Sequence, residues 1–369
     1  MTHALIIGGG IAGAATALAL GKAGVTSTVY EAYPSGGDDV GAWLMVMHNG
    51  MDALRAIDAD RPVIERSFRT TNVEYLDPAD TIFASGPLGA GHPDPDGPRT
   101  IRRADLYLAL QGELLRRGGK IQHGKRLVSA VGSDRVVATF ADGSTAEGDF
   151  LVGADGVWST TRNLIDPEAP QPQFTGLTLV YGYSRDTSIP TVPDTCRLVA
   201  GGVVYTTSPD NETFWASGVP GEGDGPWLKA LAAQFADAPG EVPRRIVGAE
   251  HEEVLATAIH HLPEQLPHWH NARMALVGDA AHLSATSAAQ GASIALEDSV
   301  ILAMCVRDIP DLEQAFATYQ RIRAPRAQRL AELTARQVRT PEEARDNARP
   351  EVRAWLYEHE IHWNEVIKP

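Results

Sequence analysis

The chain has 369 residues, 43% of them hydrophobic and 21% charged, enough apolar material for a sizeable core, which excludes a disordered or fibrous protein. Its 32 Lys and Arg against 47 Asp and Glu leave a formal charge of −15, which argues against nucleic-acid and anionic-membrane partners, both of which call for clustered cations. No apolar run reaches the roughly 18 residues of a membrane span, no basic stretch precedes the first apolar run, and the two distant cysteines, Cys196 and Cys305, make no disulfide framework, so a reducing cytoplasm is the expected compartment.

The opening reads as strand, turn, helix, strand: apolar His3 to Ile7, a glycine turn, an Ala- and Leu-rich segment from Ile11 to Lys22, then β-branched Val25 to Tyr30. Gly8, Gly10 and Gly13 form a GxGxxG pattern at the strand-to-helix junction, and Glu31 closes the second strand. This is the dinucleotide fingerprint in the context it requires. Gly8 permits the tight turn, Gly10 lets backbone approach a pyrophosphate, and Gly13 allows close helix-on-strand packing. The helix start at Ile11 and Ala12 turns unpaired N–H groups toward the phosphates. Glu31 can accept hydrogen bonds from ribose hydroxyls, which favours FAD or NAD over NADP here.

A helical stretch follows around Met51 to Ile57, and the Pro-, Gly- and Asp-rich region from Asp77 to Arg99 reads as a turn-laden excursion bordering a second lobe. The next helix begins at Arg102-Arg103 and runs to about Arg117, closed by Gly118-Gly119, with Leu106, Leu110 and Leu114 on one face. Taken alone, Arg103 reads as a solvated first-turn charge. Two glycine–acid turns come later, in FLVGADG at 150–156 and MALVGDAAH at 274–282. Each is an apolar strand that delivers a carboxylate, Asp155 or Asp279, to its C-terminal end, where ligands bind in open α/β sheets.

Between them, Thr175 to Ala258 alternates β-branched and aromatic residues with turn clusters and predicts a mostly antiparallel sheet. The chain is then largely helical from Asp298 to Leu330, with further helices in the last forty residues. His260, His261, His268 and His270 match no metal-ligand spacing, and no metal is expected. His282 reads equally as a proton carrier or as a structural tie.

The set GGGIAG at 8–13, RRADL around Arg103, GADGVWSTTR at 153–162, VGDAAH at 277–282 and QGASIALED at 290–298 resembles the single-component FAD-dependent aromatic hydroxylases, the p-hydroxybenzoate hydroxylase-like flavoprotein monooxygenases. The resemblance covers about residues 1–330. It implies an α/β fold: a Rossmann-like, glutathione reductase-type FAD-binding domain (1–75, 100–172 and 272–330), an inserted, mostly antiparallel β-sheet substrate domain (76–99 and 173–271), and a C-terminal helical segment (331–369).

It further implies that Gly8, Gly10, Ile11, Ala12, Gly13 and Glu31 hold the ADP half of FAD, and that Arg103 reaches the flavin side. Asp155 would lie near the pyrophosphate, Asp279 on the ribityl chain, and the backbone of Gly291, Ala292 and Ser293 beside the isoalloxazine. As a helix start, that last segment would stabilise negative charge on the reduced ring. Tyr181, Tyr183 and Arg185, on a strand of the second sheet, are candidate substrate contacts; core or edge packing explains the two tyrosines equally well.

The implied reaction is reduction of FAD by NADH or NADPH, addition of O2 at flavin C4a, and transfer of one oxygen from the hydroperoxide to an aromatic or polyketide-like small molecule. The expected assembly is a monomer or homodimer. One departure stands out: Thr286 occupies a place where many relatives have Pro. It leaves open an FAD oxidoreductase that dehydrogenates or reduces without oxygen insertion. A non-catalytic flavin- or substrate-binding protein is a third reading.

Overall fold

The computed structural model describes residues 2–34, 41–88, 94, 96–186, 188–251, 253–283, 289–335, 350–357 and 359–369, with backbone alone at 334–335 and 350–353. Its first sheet is parallel and five-stranded: β1 (His3–Ile7), β2 (Thr26–Tyr30), β8 (Lys120–Gln122), β12 (Phe150–Gly153) and β18 (Met274–Leu276), in the order β18-β12-β1-β2-β8. Strands covered on both faces read as continuous apolar runs, and alternation sends their side chains into two different cores. Ala4 and Ile6 join the helical side, while Leu5 and Ile7 join the other.

On the helical side lie α1 (Ile11–Lys22), α4 (Arg103–Arg116), α9 (Gly291–Asp308) and α10 (Leu312–Ala335). Helix α1 is buried from Gly13 to Leu20, as suits a helix apolar on every side, and small residues let α9 approach it closely. The Thr16 hydroxyl donates to Ser299 Oγ at 3.0 Å across that contact. Leu106, Leu110 and Leu114 of α4 are buried together.

The opposite face is covered by an antiparallel meander that the sequence reading did not resolve: β9 (Leu127–Val131), β10 (Val136–Phe140) and β11 (Thr145–Gly148). Phe140 stacks on Tyr30 with ring centroids 4.7 Å apart. The short α5 (Thr160–Ile165) follows β12.

The second large sheet has seven strands in the order β17-β13-β16-β15-β14-β5-β6. They are β5 (Asn72–Leu76), β6 (Ile82–Pro87), β13 (Gln173–Ser184), β14 (Thr195–Val199), β15 (Val203–Thr207), β16 (Thr213–Pro220) and β17 (Glu253–His261). Every pairing is antiparallel except β14 with β5. Within the Asp77 to Arg99 stretch, expected to be all turns, β6 forms an edge strand. The back of this sheet packs Trp215, Tyr205 and Val180 against α6 (Trp227–Gln234) and α7 (Val242–Gly248).

Its front face meets a small sheet of β3 (Trp43–Val46), β4 (Phe68–Arg69) and β7 (Arg99–Arg102); α2 (His48–Ala56) and α3 (Asp60–Ile64) follow β3 in the chain, and the short α8 (Asp279–His282) follows β18. After α11 (Pro350–Tyr357), the chain from 359 to 369 returns to the main core as a non-helical tail. The Ile361 N–H donates to Asp52 at 2.6 Å, and Ile361 is buried. No helix among the described residues is long and apolar enough to cross a membrane.

Candidate cofactor and substrate site

Parallel strands bring all their C-terminal ends to one edge, so the glycine turn after β1, Glu31 after β2, Asp155 after β12 and Asp279 after β18 converge although the sequence separates them widely. Gly8 has φ +101°, and a Cβ on Gly13 would sit 1.9 Å from the Gly8 carbonyl oxygen. Only hydrogens fit in that cradle. The N–H groups of Ile11, Ala12 and Gly13 open α1 and precede its first intrahelical bond, from Ala14 to Gly10. The Glu31 carboxylate accepts one bond per oxygen, from Gly9 N–H at 2.6 Å and Tyr33 N–H at 2.9 Å, and keeps acceptor capacity for a ligand. Gln111, unforeseen from the sequence, donates to the Gly9 carbonyl at 2.7 Å.

Asp155 is engaged more fully. It accepts the Ser159 hydroxyl at 2.6 Å, the Thr161 N–H at 2.9 Å and the Thr161 hydroxyl at 3.0 Å, so it ties its own turn to α5. Buried Arg162 then links the two glycine–acid turns by donating to the carbonyls of Val157, Asp279 and Ala280 at 2.8–2.9 Å. Asp279 itself is half-buried, and its carboxylate makes no hydrogen bond among the described residues; it lies within electrostatic reach of Arg103 and Arg162.

Gly291, Ala292 and Ser293 form the first turn of α9, with Gln290 as its N-cap. The Ser293 hydroxyl accepts the Met47 N–H at 3.1 Å. Behind this turn lies a buried charge network. Glu297 pairs with Arg323 at 2.6 Å and takes two bonds from Arg326, while Asp298 accepts Arg323 Nε at 2.7 Å and also binds His282 Nε2.

Burial disfavours both carboxylates, yet the facing cations win: Arg323 and Arg326 hold Glu297, and His282 and Arg323 hold Asp298, below the usual carboxylate range. Burial likewise opposes the His282 charge, but Asp298 raises its pKa. Asn49 donates to Glu297 and Gln290, and each of the two amides retains one buried atom without a partner among the described residues.

Tyr181, Tyr183 and Phe214 of the large sheet and Trp43 of β3 form one buried aromatic cluster. The Tyr183 hydroxyl donates to the Gly41 carbonyl at 3.0 Å, and the Arg102 guanidinium lies 4.3 Å from its ring centroid. Burial pushes both tyrosine pKa values up. Arg185 lies outside the cluster on an exposed rim, bonded to the Asp210 carbonyl and to Glu212, which also takes Arg102 at 2.6 Å. Arg185, Asp210, Glu212 and Arg102 border a cleft of about 180 Å³ that Trp43 also lines, whereas Tyr181, Tyr183 and Phe214 pack behind it. Arg103, exposed at the start of α4 and bonded to the Tyr107 hydroxyl, lies within electrostatic reach of both Asp279 and Tyr181.

Thr286 lies outside the described residues. Among the described residues no group of three or more metal-ligating side chains comes together, and His260 packs on Trp158 at 5.0 Å. The donor set fits FAD: a cradle closed to any side chain, helix-start N–H groups, a ribose-type acceptor in Glu31, and an aspartate in Asp279 with unspent acceptors.

A family model described as an FAD binding domain matches residues 1–334. The aurachin C monooxygenase/isomerase of Stigmatella aurantiaca is 30% identical over 336 residues, covering 88% of this chain and 85% of its own. The 6-hydroxynicotinate 3-monooxygenase of Pseudomonas fluorescens is 28% identical over 367 residues, covering 89% of each. Among solved structures, Klebsiella pneumoniae HpxO complexed with FAD and uric acid aligns with a TM-score of 0.80 at 23% identity, over 97% of this chain and 93% of that one, a likeness of fold.

Proposed function

Because the chain belongs to the FAD binding domain family and is an FAD-dependent monooxygenase, we propose that its substrate is a planar aromatic small molecule, with O2 as co-substrate and NADH or NADPH as reductant. The overall reaction adds one oxygen atom of O2 to the substrate and releases the other as water, at the expense of one reduced nicotinamide. FAD, when bound, supplies the two-electron redox chemistry and the activation of O2. The observation that carries this reading is Arg103, a permanent cation within electrostatic reach of both an aspartate at the parallel-sheet edge and a tyrosine of the aromatic wall.

In this reading the backbone from Gly8 and Gly10 to Ile11, Ala12 and Gly13 cradles the pyrophosphate, Glu31 takes ribose hydroxyls, and Asp279 takes hydroxyls of the ribityl chain. Asp155 acts through its hydrogen bonds to α5, keeping its turn clear for the phosphates. The N–H groups of Gly291, Ala292 and Ser293 favour negative charge at one edge of the flavin ring. The buried cluster of Tyr181, Tyr183, Trp43 and Phe214 forms an apolar backing to the substrate side, with Trp43 at the cleft, and keeps water out, which oxygen transfer needs. Arg185 stands at the entrance.

The lobes follow the sheets: the segments at 72–87 and 173–261 carry the substrate side, with the first boundary at 72 because β5 pairs with β14. Cys196 and Cys305, both free and buried, suit a reducing cytoplasm. The test is NADH- or NADPH-dependent incorporation of labelled O2 by FAD-loaded protein, over a panel of phenolic and heteroaromatic acids. One label atom per product molecule is expected. Substrate turnover coupled to nicotinamide oxidation without label would replace this reading with an oxidoreductase that does not insert oxygen.

A further inference from the structure

Helix α8 carries Asp279, yet its four residues are too short to hold that side chain's direction by themselves. What holds it lies outside. The fully buried Asp298 carboxylate on α9 accepts the Gly278 N–H at 3.1 Å through Oδ2 and binds His282 Nε2 through the same oxygen. The residue just before the short helix and its last residue therefore hang on one atom. An ionised carboxylate only accepts, so His282 is the donor.

Arg323 anchors the other oxygen, Oδ1, at 2.7 Å, and the Trp269 ring lies 5.3 Å from the His282 ring. From the opposite side Arg162 grips the carbonyls of Asp279 and Ala280. The turn is clamped at both ends and along its backbone, while the carboxylate at its start makes no hydrogen bond among the described residues. Fixed surroundings around an uncommitted acceptor are what a preorganised ligand contact requires.

We propose that His282 and Asp298 are positioning residues for FAD: by fixing the Gly278–His282 turn they aim the Asp279 carboxylate at the cofactor and set how tightly it is retained. This rests on the assignment of Asp279 to FAD given above. It gives His282 the role of a tie rather than a proton carrier.

The test is a double-mutant cycle on FAD affinity, read by flavin fluorescence on reconstitution of FAD-free protein, with the thermal midpoint of each FAD-free variant measured alongside. His282→Ala is expected to weaken FAD binding about tenfold in the parent chain but less than about twofold in an Asp279→Ala background, because the tie then has nothing to aim. His282→Gln, which keeps a donor, restores most of the loss.

Losses that multiply in the double variant would overturn the proposal, as would an unchanged dissociation constant for His282→Ala. Should His282→Ala fail to fold, His282→Leu, which keeps bulk but has no donor, runs the same cycle. If Asp279→Ala alone leaves FAD affinity unchanged, the Asp279 assignment falls and the proposal with it. None of these readouts depends on substrate or labelled oxygen, so the monooxygenase reading stands or falls separately.

Discussion

The parallel-sheet edge and the aromatic wall both lie within electrostatic reach of Arg103, yet they are built on opposite principles. At the edge, backbone groups and carboxylates are held by a buried network of ions in which Asp298, Glu297, Arg323 and Arg326 leave each other's polar atoms paired. At the wall, Trp43, Tyr181, Tyr183 and Phe214 pack as rings, and the indole N–H of Trp43 is buried without a partner among the described residues. A large constant ligand rewards polar atoms fixed in advance, whereas an aromatic substrate is sorted mainly by shape, with few polar anchors. The edge should therefore break sharply under small chemical changes, and the wall should yield gradually.

The largest expected effect comes from uncoupling the ion network. Asp298→Asn leaves Arg323 and His282 facing a neutral amide in the core, and should cost about 3–5 kcal/mol of unfolding free energy, read from the denaturant midpoint. Wild-type stability in this variant would mean that the network is solvated and that the contrast with the wall is false. Next comes Gly13→Ala, whose new methyl would collide with the Gly8 carbonyl. A cost of about 1–3 kcal/mol, with flavin content falling in parallel, is expected from forcing the turn apart.

At the wall the same scale of change does less. Tyr183→Phe removes only the bond to the Gly41 carbonyl and keeps the ring, so about 1 kcal/mol of stability should go while FAD affinity holds. Loss of flavin from this variant would erase the division between the two regions. The smallest effect is that of pH. The folded-state pKa of His282 is raised above 6.5 by Asp298, so its pairing stabilises fully below that value and is lost as pH rises through the folded pKa. The stability difference between parent and His282→Gln should therefore shrink on the alkaline side, by denaturation at a series of pH values.

Local chemistry made much of the cofactor edge legible. Gly8, Gly10 and Gly13 are spaced for one turn, Glu31 closes the very next strand, and Asp155 and Asp279 each end an apolar run. Such signals lie within one βαβ unit or one strand and turn, where steric rules act on neighbours. Gln111 and Arg162 were not assigned their partners, since an amide on α4 and an arginine on α5 announce nothing about which distant carbonyls they meet. The meander β9–β11 was missed for a related reason: short half-exposed strands carry a weak period, and their burial comes only from docking on the parallel sheet. The last forty residues, expected to carry further helices, hold α11, but beyond it the chain is kept in non-helical form by side chains such as Asp52.

By itself the sequence determined the class of protein, the parallel sheet with its glycine turn, and the acids at the strand ends, because those depend on spacing and on backbone sterics between near neighbours. Only the tertiary structure decided which groups share charge: Asp298 with His282 and Arg323, Glu297 with Arg326, and Arg103 within electrostatic reach of Asp279 and Tyr181. Coulomb energy and desolvation depend on distance in space, and chain closure brings residues from opposite ends of the sequence within a few ångströms in a way no local pattern records.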